Sequence, residues 1–149
     1  MGQFPLTLSR FIIRSQAEHP EATGEFSSLL SQIGLVGKVI AHDLRRAGLI
    51  NILGTTGETN VQGEVVKKLD EIANDTFLRA FQGDGLVCAL ASEEMEQMVA
   101  LPENWPQGKY MLLFDPLDGS SNIEVNVSIG TIFSVLKKPH DNPDEIEPV

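Results

Sequence analysis

The chain has 149 residues, of which 42% are hydrophobic and 21% are charged, so it can bury a core and a wholly disordered chain is excluded. Its 21 acidic residues against 11 basic ones give a formal charge of -10, which argues against nucleic-acid binding because basic side chains supply most of that affinity. No apolar run approaches the roughly 20 residues of a membrane-spanning helix. The single cysteine, Cys88, lies in an apolar run typical of a buried thiol in a reducing compartment. We therefore expect a cytoplasmic protein that binds neither nucleic acid nor a membrane.

A short helix is predicted near the N-terminus, over residues 7–16. Leu8, Phe11 and Ile12 share one face at helical spacing. Thr7 stands where its hydroxyl can cap the first turn.

Two longer helices follow. Apolar residues recur at threes and fours over residues 24–47, and we expect this helix to stop at Gly48. Residues 64–81 show the same period and end before a glycine-rich turn at 83–85. Between them, residues 50–63 are rich in glycine, threonine and asparagine, which predicts a loop, or a short strand and a loop.

Strands are predicted in the second half of the chain. Residues 86–91, 110–114 and 131–136 are short apolar runs bounded by turn residues, typical of central strands of one sheet. Residues 102–108 should connect two of them, and residues 140–148 form a polar, proline-rich tail. Helices followed by strands indicate an α+β fold in layers. A tail directly after a strand, with nothing placed to cover it, indicates the N-terminal part of a larger protein.

Acidic residues follow two of these predicted strands. Glu93 and Glu94 come after the first strand, and Asp115 and Asp118 come after the second. Adjacent strands would bring these groups together outside their carboxyl ends, where ligands gather in open sheets. Like charges this close repel each other unless a cation lies between them, and hard cations such as Mg²⁺ take oxygen ligands.

The segment that begins at Asp115 also suits a phosphate group. Pro116 stiffens the turn, so that Asp115, Asp118 and the Leu117 carbonyl can face one ion. Residues 119–122 then supply a glycine for close approach, consecutive backbone N–H groups and two hydroxyls. Together these features predict a site for a cation and a phosphate.

Each feature taken alone has a simpler interpretation. The sequence Asp-Pro-Leu-Asp-Gly is usually a turn, and a Glu-Glu pair is usually solvated. Asp70 would by default lie on a helix surface beside Lys67. No histidine shows metal-ligand spacing, and all three are interpreted as structural: His19, His42 and His140.

The combination of motifs resembles the class I fructose-1,6-bisphosphatase family, of the bacterial or plastid-like kind. The resemblance covers nearly the whole chain and is most specific over residues 114–123 and 130–133. The other matching segments are 22–25, 60–64, 67–70, 91–94 and 108–110. It implies a layered helix/sheet sugar-phosphatase fold, with residues 1–149 as the N-terminal domain and the substrate domain absent from this chain.

The resemblance also implies an activity and roles for residues. Members hydrolyse the 1-phosphate of fructose 1,6-bisphosphate to fructose 6-phosphate and phosphate, in gluconeogenesis or the Calvin cycle, using Mg²⁺ or Mn²⁺. The matching positions fall into three groups. The metal ligands would be Glu93, Glu94, Asp115, the Leu117 carbonyl and Asp118; the catalytic residues Asp70, Glu94 and Glu64; and the 1-phosphate segment Asp118, Gly119, Ser120 and Ser121. Glu64 stands where animal members carry aspartate.

A second site resembles the AMP inhibitor pocket of the same family. The matching residues are Thr23, Gly24, Glu25, Ser27, Lys109 and Tyr110. Backbone N–H groups at a helix start, together with a lysine, suit a phosphate, but a plain helix cap and strand start explain the same residues. Lys137 stands where some members have arginine, which weakens a bidentate contact.

Three functions remain open from the sequence. The first is a fructose-1,6-bisphosphatase, expected to be a homotetramer by family resemblance, whose truncated chain is inactive alone. The second is another sugar or inositol phosphatase of the same superfamily, such as a sedoheptulose bisphosphatase. The third is a non-catalytic regulatory fragment that binds nucleotide.

Overall fold

A computed structural model describes the backbone of residues 5–54, 59–121, 128–138 and 147–148, and the side chains of residues 5–46, 68–121 and 128–138. Within these ranges the helices precede the strands along the chain, which confirms the predicted α+β class. The helices are α1 (Leu8–Ala17), α2 (Glu25–Gly54) and α3 (Thr59–Phe81), and the strands are β1 (Val87–Ser92), β2 (Val99–Ala100), β3 (Tyr110–Asp118), β4 (Gly130–Lys137) and β5 (Glu147–Pro148).

Helix α1 begins where the sequence predicts. The Thr7 hydroxyl accepts a hydrogen bond from the Arg10 backbone N–H at 3.3 Å, which satisfies one of the free donors of the first turn. Ile12 is buried, whereas Leu8 and Phe11 are 47% and 51% exposed. The predicted apolar face is therefore only partly covered, because α1 packs mainly against α2.

Helix α2 is longer than predicted. It continues through Gly48 and ends at Gly54, so the predicted end is wrong. A glycine inside a helix costs only about 1 kcal/mol relative to alanine. That cost alone does not terminate a helix whose earlier turns pack in the core.

The predicted loop over residues 50–63 is largely helical. Residues 50–54 belong to α2, and α3 begins at Thr59, while residues 55–58 lie outside the described residues. Helix α3 ends at Phe81, as predicted. Glycine, threonine and asparagine disfavour a helix only weakly, so a composition rich in them did not exclude the helical turns found here.

The strands form one mixed sheet in the order β2-β1-β3-β4-β5. β1 and β3 are parallel, and the other neighbouring pairs are antiparallel. The three longer strands match the predicted ones to within a few residues at each end. Since β1 and β3 run in the same direction, their carboxyl ends meet at one edge of the sheet.

Strand β3 extends beyond the predicted turn. Asp115 and Asp118 both pair with β4, with a register shift between them. Pro116 lies in that irregular stretch, where its missing N–H costs no regular ladder bond, and its carbonyl accepts a hydrogen bond from Thr131 Oγ1 at 3.1 Å. Gly119, with φ of +84°, begins the turn that follows, so the predicted turn falls after Asp118 instead of after Phe114.

The core lies between the helices and one face of the sheet. Phe77 of α3 stacks on Phe114 of β3, with ring centroids 4.5 Å apart, and alternation along β3 turns Leu112 to the same side. Several side chains are completely buried there: Leu29, Phe77, Phe81, Val87, Leu90 and Leu112. Leu113 points to the opposite face and is 36% exposed.

The end of the chain adds a short edge to the sheet. In β5, Pro148 and Glu147 pair with Leu136 and Lys137 of β4, so part of the predicted tail is a strand, and residues 139–146 lie outside the described residues. Among the residues that were described, no helix is both long and apolar enough to span a membrane.

Candidate functional site

Two parallel strands bring acidic residues to one edge of the sheet. Ser92, the last residue of β1, lies opposite Phe114 of β3. The next backbone N–H, that of Glu93, donates to the Phe114 carbonyl at 3.0 Å, which brings Glu93 beside Asp115. The structure thus contains the meeting of acidic strand ends that the sequence predicts.

Helix α3 contributes Asp70 to the same edge. Ser120 Oγ donates a hydrogen bond to Asp70 Oδ2 at 3.3 Å. The other carboxylate oxygen, Asp70 Oδ1, is completely buried and has no hydrogen-bond partner among the residues that the structure describes. Asp70 is therefore not the solvated helix-surface residue of the simpler interpretation.

The carboxylates of this edge influence one another. Burial raises the pKa of Asp70, the hydrogen bond from Ser120 opposes this rise, and the charges of Asp115 and Glu93 raise the pKa further. Burial also raises the pKa of Glu94, and the charges of Asp70, Glu93 and Asp115 add to it. We call Asp70, Glu93, Glu94 and Asp115 the carboxylate cluster.

The carboxylate cluster has the chemistry of a site for a hard cation. The charges of its carboxylates repel one another, so a positive charge nearby would be stabilising. Within the described ranges, no group of three or more acidic, histidine or cysteine side chains is placed to hold a metal ion. Mg²⁺ is usually held by one or two carboxylates and completes its octahedron with water and substrate phosphate.

Leu117 and Asp118 follow the carboxylate cluster along β3. The Leu117 backbone N–H donates to Asp115 Oδ1 at 3.0 Å, which fixes the direction of that carboxylate. Asp118 is exposed and ends the strand. Its predicted role as a metal ligand, like that of the Leu117 carbonyl, stays a prediction.

The predicted phosphate segment lies next to the carboxylate cluster. Gly119 adopts positive φ, Ser120 contacts Asp70, and Ser121 is exposed. The backbone of Glu64 belongs to α3, but its side chain is outside the described residues, so its catalytic role also stays a prediction.

A separate cavity of about 640 Å³ lies between α1, α2 and the start of β3. It combines an apolar end with a polar end. Its lining includes Phe11, Ile12, Phe26, Leu30 and Tyr110 on the apolar side and Gln16, Thr23, Ser27 and Lys109 on the polar side. Five of the six residues predicted for an AMP pocket line it: Thr23, Gly24, Ser27, Lys109 and Tyr110.

Lys109 organises the polar end of this cavity. Its ammonium group lies 3.3 Å from Thr23 Oγ1 and forms an ion pair with Glu25, the sixth predicted residue. The Lys109 hydrogen bond lowers the pKa of Glu25, and the Glu25 carboxylate raises the pKa of Lys109. The lysine is thus held charged at the N-terminal end of α2.

Sequence reasoning missed the contribution of α1 to the cavity. The sequence places Phe11 on one face with Leu8 and Ile12, and in the structure its half-exposed ring lines the cavity wall. Gln16 accepts a hydrogen bond from Ser27 Oγ at 3.2 Å, which joins the two helices. Both residues lie where α1 faces the start of α2, a contact that periodicity within one helix does not reveal.

The helix layer, the mixed sheet and the carboxylates at its strand ends make up the layered fold of the sugar phosphatases. The chain belongs to the fructose-1,6-bisphosphatase family: residues 6–149 match the family model described as "Fructose-1-6-bisphosphatase, N-terminal domain". It is 54% identical over 133 residues to the class 1 fructose-1,6-bisphosphatase of Sorangium cellulosum, covering 89% of this chain and 38% of the relative. It is 50% identical over 140 residues to that of Crocosphaera subtropica, covering 93% and 40%.

Solved structures show the same relationship. The holo form of Leishmania major fructose-1,6-bisphosphatase is 40% identical and superposes with a TM-score of 0.74, covering 93% of this chain and 40% of that one. A structure of the same enzyme in its T-state superposes with a TM-score of 0.71 at 39% identity, covering 94% and 40%. The chain therefore spans about two fifths of the length of these relatives.

Proposed function

We propose that the protein hydrolyses the 1-phosphate of fructose 1,6-bisphosphate to fructose 6-phosphate and phosphate, with Mg²⁺, or Mn²⁺ in its place, as cofactor. Family membership supports this assignment. The observation that carries it is the carboxylate cluster at the carboxyl ends of β1 and β3, in contact through Asp70 with Ser120 of the phosphate segment.

Residues at the ends of β1 and β3 would hold the cation. These are Glu93, Glu94, Asp115, the Leu117 carbonyl and Asp118. When bound, the cation neutralises phosphoryl oxygens and makes a bound water more acidic. The hydrogen bond from the Leu117 N–H to Asp115 holds one of these carboxylates in a single orientation, so less freedom is lost on binding.

Other residues would handle the water and the phosphate. Asp70 and Glu94, assisted by Glu64, orient the attacking water and accept its proton. Backbone N–H groups and hydroxyls of residues 119–121 bind the transferred phosphoryl group.

The catalytic proposal is tested with matched variants in the full-length protein. Glu94→Gln should reduce kcat by at least about 100-fold, the usual contribution of a general base. Glu96→Gln, two residues further along in an exposed loop, should leave kcat unchanged. Phosphate release in the presence of Mg²⁺ is the measurement, and equal activities of the two variants would overturn the role of Glu94.

The substrate is tested with a panel of phosphate esters. Release of phosphate from fructose 1,6-bisphosphate should exceed release from sedoheptulose bisphosphate and inositol monophosphate. A preference for one of the other compounds would make the protein another phosphatase of the superfamily.

We also propose that the cavity between α1 and α2 binds AMP as an inhibitor. The apolar end of the cavity and its polar end with Lys109 and Thr23 support this ligand. Lys109→Met should weaken inhibition by AMP at least about tenfold, since a charge-assisted phosphate contact is lost. Lys38→Met, on the exposed face of α2, should leave inhibition unchanged. Calorimetry that detects AMP binding but no Mg²⁺ binding would instead favour a regulatory fragment.

Finally, we propose that residues 1–149 form the N-terminal domain of a cytoplasmic homotetramer whose substrate domain packs on the open face of the sheet. Leu113 and Ile132 on that face are 36% and 57% exposed, and the relatives are longer than this chain. The chain alone should release no phosphate, whereas the full-length protein should be active. Sedimentation of the full-length protein measures the oligomeric state.

A further inference from the structure

The inner side of α3 carries a polar residue that the proposed mechanism does not use. Asn74 lies one helical turn after Asp70, so the two side chains are neighbours on the helix surface. Ala73 and Phe77, which flank Asn74 on the same side, are 2% and 0% exposed. Asn74 itself is half-buried, and its side-chain oxygen is on the buried side.

Two oxygen atoms on this side of α3 need hydrogen-bond donors. Asp70 Oδ1 and Asn74 Oδ1 are both completely buried, and neither has a hydrogen-bond partner within the described part of the chain. Buried polar atoms in folded proteins are almost always paired. Two unpaired acceptors on adjacent turns of one helix are therefore an unfavourable arrangement that calls for a donor.

The side-chain amide of Asn74 can itself be that donor. An ionised aspartate has only acceptors, whereas an asparagine amide has one oxygen and an NH₂ group with two donors. A half-turn of the amide exchanges its oxygen and nitrogen with almost no change of shape, and the hydrogen-bond network decides between the two orientations. After this rotation, Asn74 Nδ2 takes the buried position now held by Oδ1.

We infer that Asn74 is a positioning residue for Asp70, with Asn74 Nδ2 donating to Asp70 Oδ1 while Ser120 Oγ donates to Asp70 Oδ2. This inference rests on the proposed role of Asp70 in orienting the attacking water. One donor comes from the same helix and the other from the turn after β3, so the plane of the carboxylate is fixed from two sides. Asn74 touches neither water nor substrate and acts through Asp70.

The hydrogen bond is tested by NMR of the Asn74 side-chain amide in the 149-residue chain. One of its two protons should be shifted downfield and exchange slowly with solvent, and Asp70→Ala should abolish both effects. Asp75→Asn is the matched control, because Asp75 lies next to Asn74 on the exposed side of α3, and it should leave the Asn74 signals unchanged. Asn74 signals that are the same in the wild type and in Asp70→Ala would overturn the inference.

The consequence for catalysis is tested in the full-length protein. Asn74→Ala should lower kcat about tenfold, the typical cost of losing a residue that orients a catalytic group, and leave KM nearly unchanged. Asn74→Asp, which keeps the size but loses the NH₂ group, should behave alike. Thr76→Ala is the control, since Thr76 Oγ1 donates to the Ile72 carbonyl of its own helix, and it should keep the wild-type kcat.

The two proposals fail in different ways. A wild-type protein that releases no phosphate from the bisphosphate overturns the proposed function, and the amide signals of Asn74 still decide the hydrogen bond. An active wild-type protein whose Asn74→Ala and Asn74→Asp variants keep full kcat overturns the positioning role alone.

Discussion

Ser120 donates a hydrogen bond to Asp70 across a sequence separation of 50 residues, with 3.3 Å between Ser120 Oγ and Asp70 Oδ2. Asp70 lies in α3, and Ser120 lies in the turn after β3. The contact joins the residue proposed to orient water to the segment proposed to bind phosphate. A displacement of α3 or of the turn after β3 would therefore break or lengthen this hydrogen bond.

Replacement of Asp70 by asparagine should stabilise the metal-free chain at neutral pH. Burial raises the pKa of Asp70, although the bond from Ser120 opposes this, and nearby carboxylates add to the rise. A carboxyl whose pKa is higher in the folded state than in the unfolded state reduces stability as the pH rises from below the unfolded value through the folded one. The gain in the free energy of unfolding of Asp70→Asn over the wild type should therefore be largest at neutral pH and vanish in acid. Urea unfolding at several pH values measures it.

The control for this experiment is Asp75→Asn on the exposed side of the same helix. The Asp75 carboxylate pairs with the Arg79 guanidinium at 3.6 Å. An exposed ion pair of this kind contributes little to stability, so the free energy of unfolding of Asp75→Asn should differ little from that of the wild type at every pH. An Asp70→Asn chain that is less stable than the wild type at neutral pH would contradict the prediction.

Cys88 should resist thiol reagents in the folded chain. Its side chain is buried, its Sγ donates to the Tyr110 carbonyl at 3.3 Å, and burial raises the pKa of the thiol. Since the thiolate is the reactive form, labelling with Ellman's reagent should be slow in buffer and fast in urea. Complete labelling of the folded chain at the rate seen in urea would show that the thiol is accessible.

Phe77→Ala should strongly destabilise the chain. Phe77 is completely buried and stacks on Phe114, and truncating a core phenylalanine costs about 3–5 kcal/mol of the free energy of unfolding. Leu35→Ala, at a position 55% exposed on α2, should cost much less. Urea unfolding measures both, and similar losses for the two variants would show that α3 is not anchored through Phe77.

Two glycine-to-alanine substitutions should change the free energy of unfolding in opposite directions. At Gly108 an added Cβ would overlap the backbone carbonyl of Leu86, so Gly108→Ala should lower the free energy of unfolding by about 1–3 kcal/mol. At Gly37, inside α2, the space is open, so Gly37→Ala should raise it by about 1 kcal/mol. Thermal unfolding compares the two, and a stabilised Gly108→Ala chain would contradict the close approach of the loop before β3 to Leu86.

Helix interiors, central strands and two helix ends were predictable, whereas the ends of α2 and β3 were not. The Thr7 cap and the end of α3 at Phe81 depend on neighbouring residues, so local rules located them. Gly48 does not stop α2, because the weak preference of one glycine against a helix is outweighed by continued backbone hydrogen bonding. β3 runs on to Asp118 because β4 supplies partners for it, and no local pattern contains that information.

By itself, the sequence determined the order of helices and strands, the identity of the acidic residues and the segment that resembles a phosphate-binding loop, because these depend on residue type and short spacing. Only the tertiary structure decided which of them meet. Parallel pairing of β1 with β3 brings Glu93 beside Asp115, and packing of α3 on the sheet buries Asp70 against Ser120. The same packing buries the side-chain oxygen of Asn74, whose place one turn after Asp70 follows from the helix alone. These contacts join residues far apart in the chain, and burial, which sets their hydrogen bonds and pKa shifts, exists only after the elements have packed together.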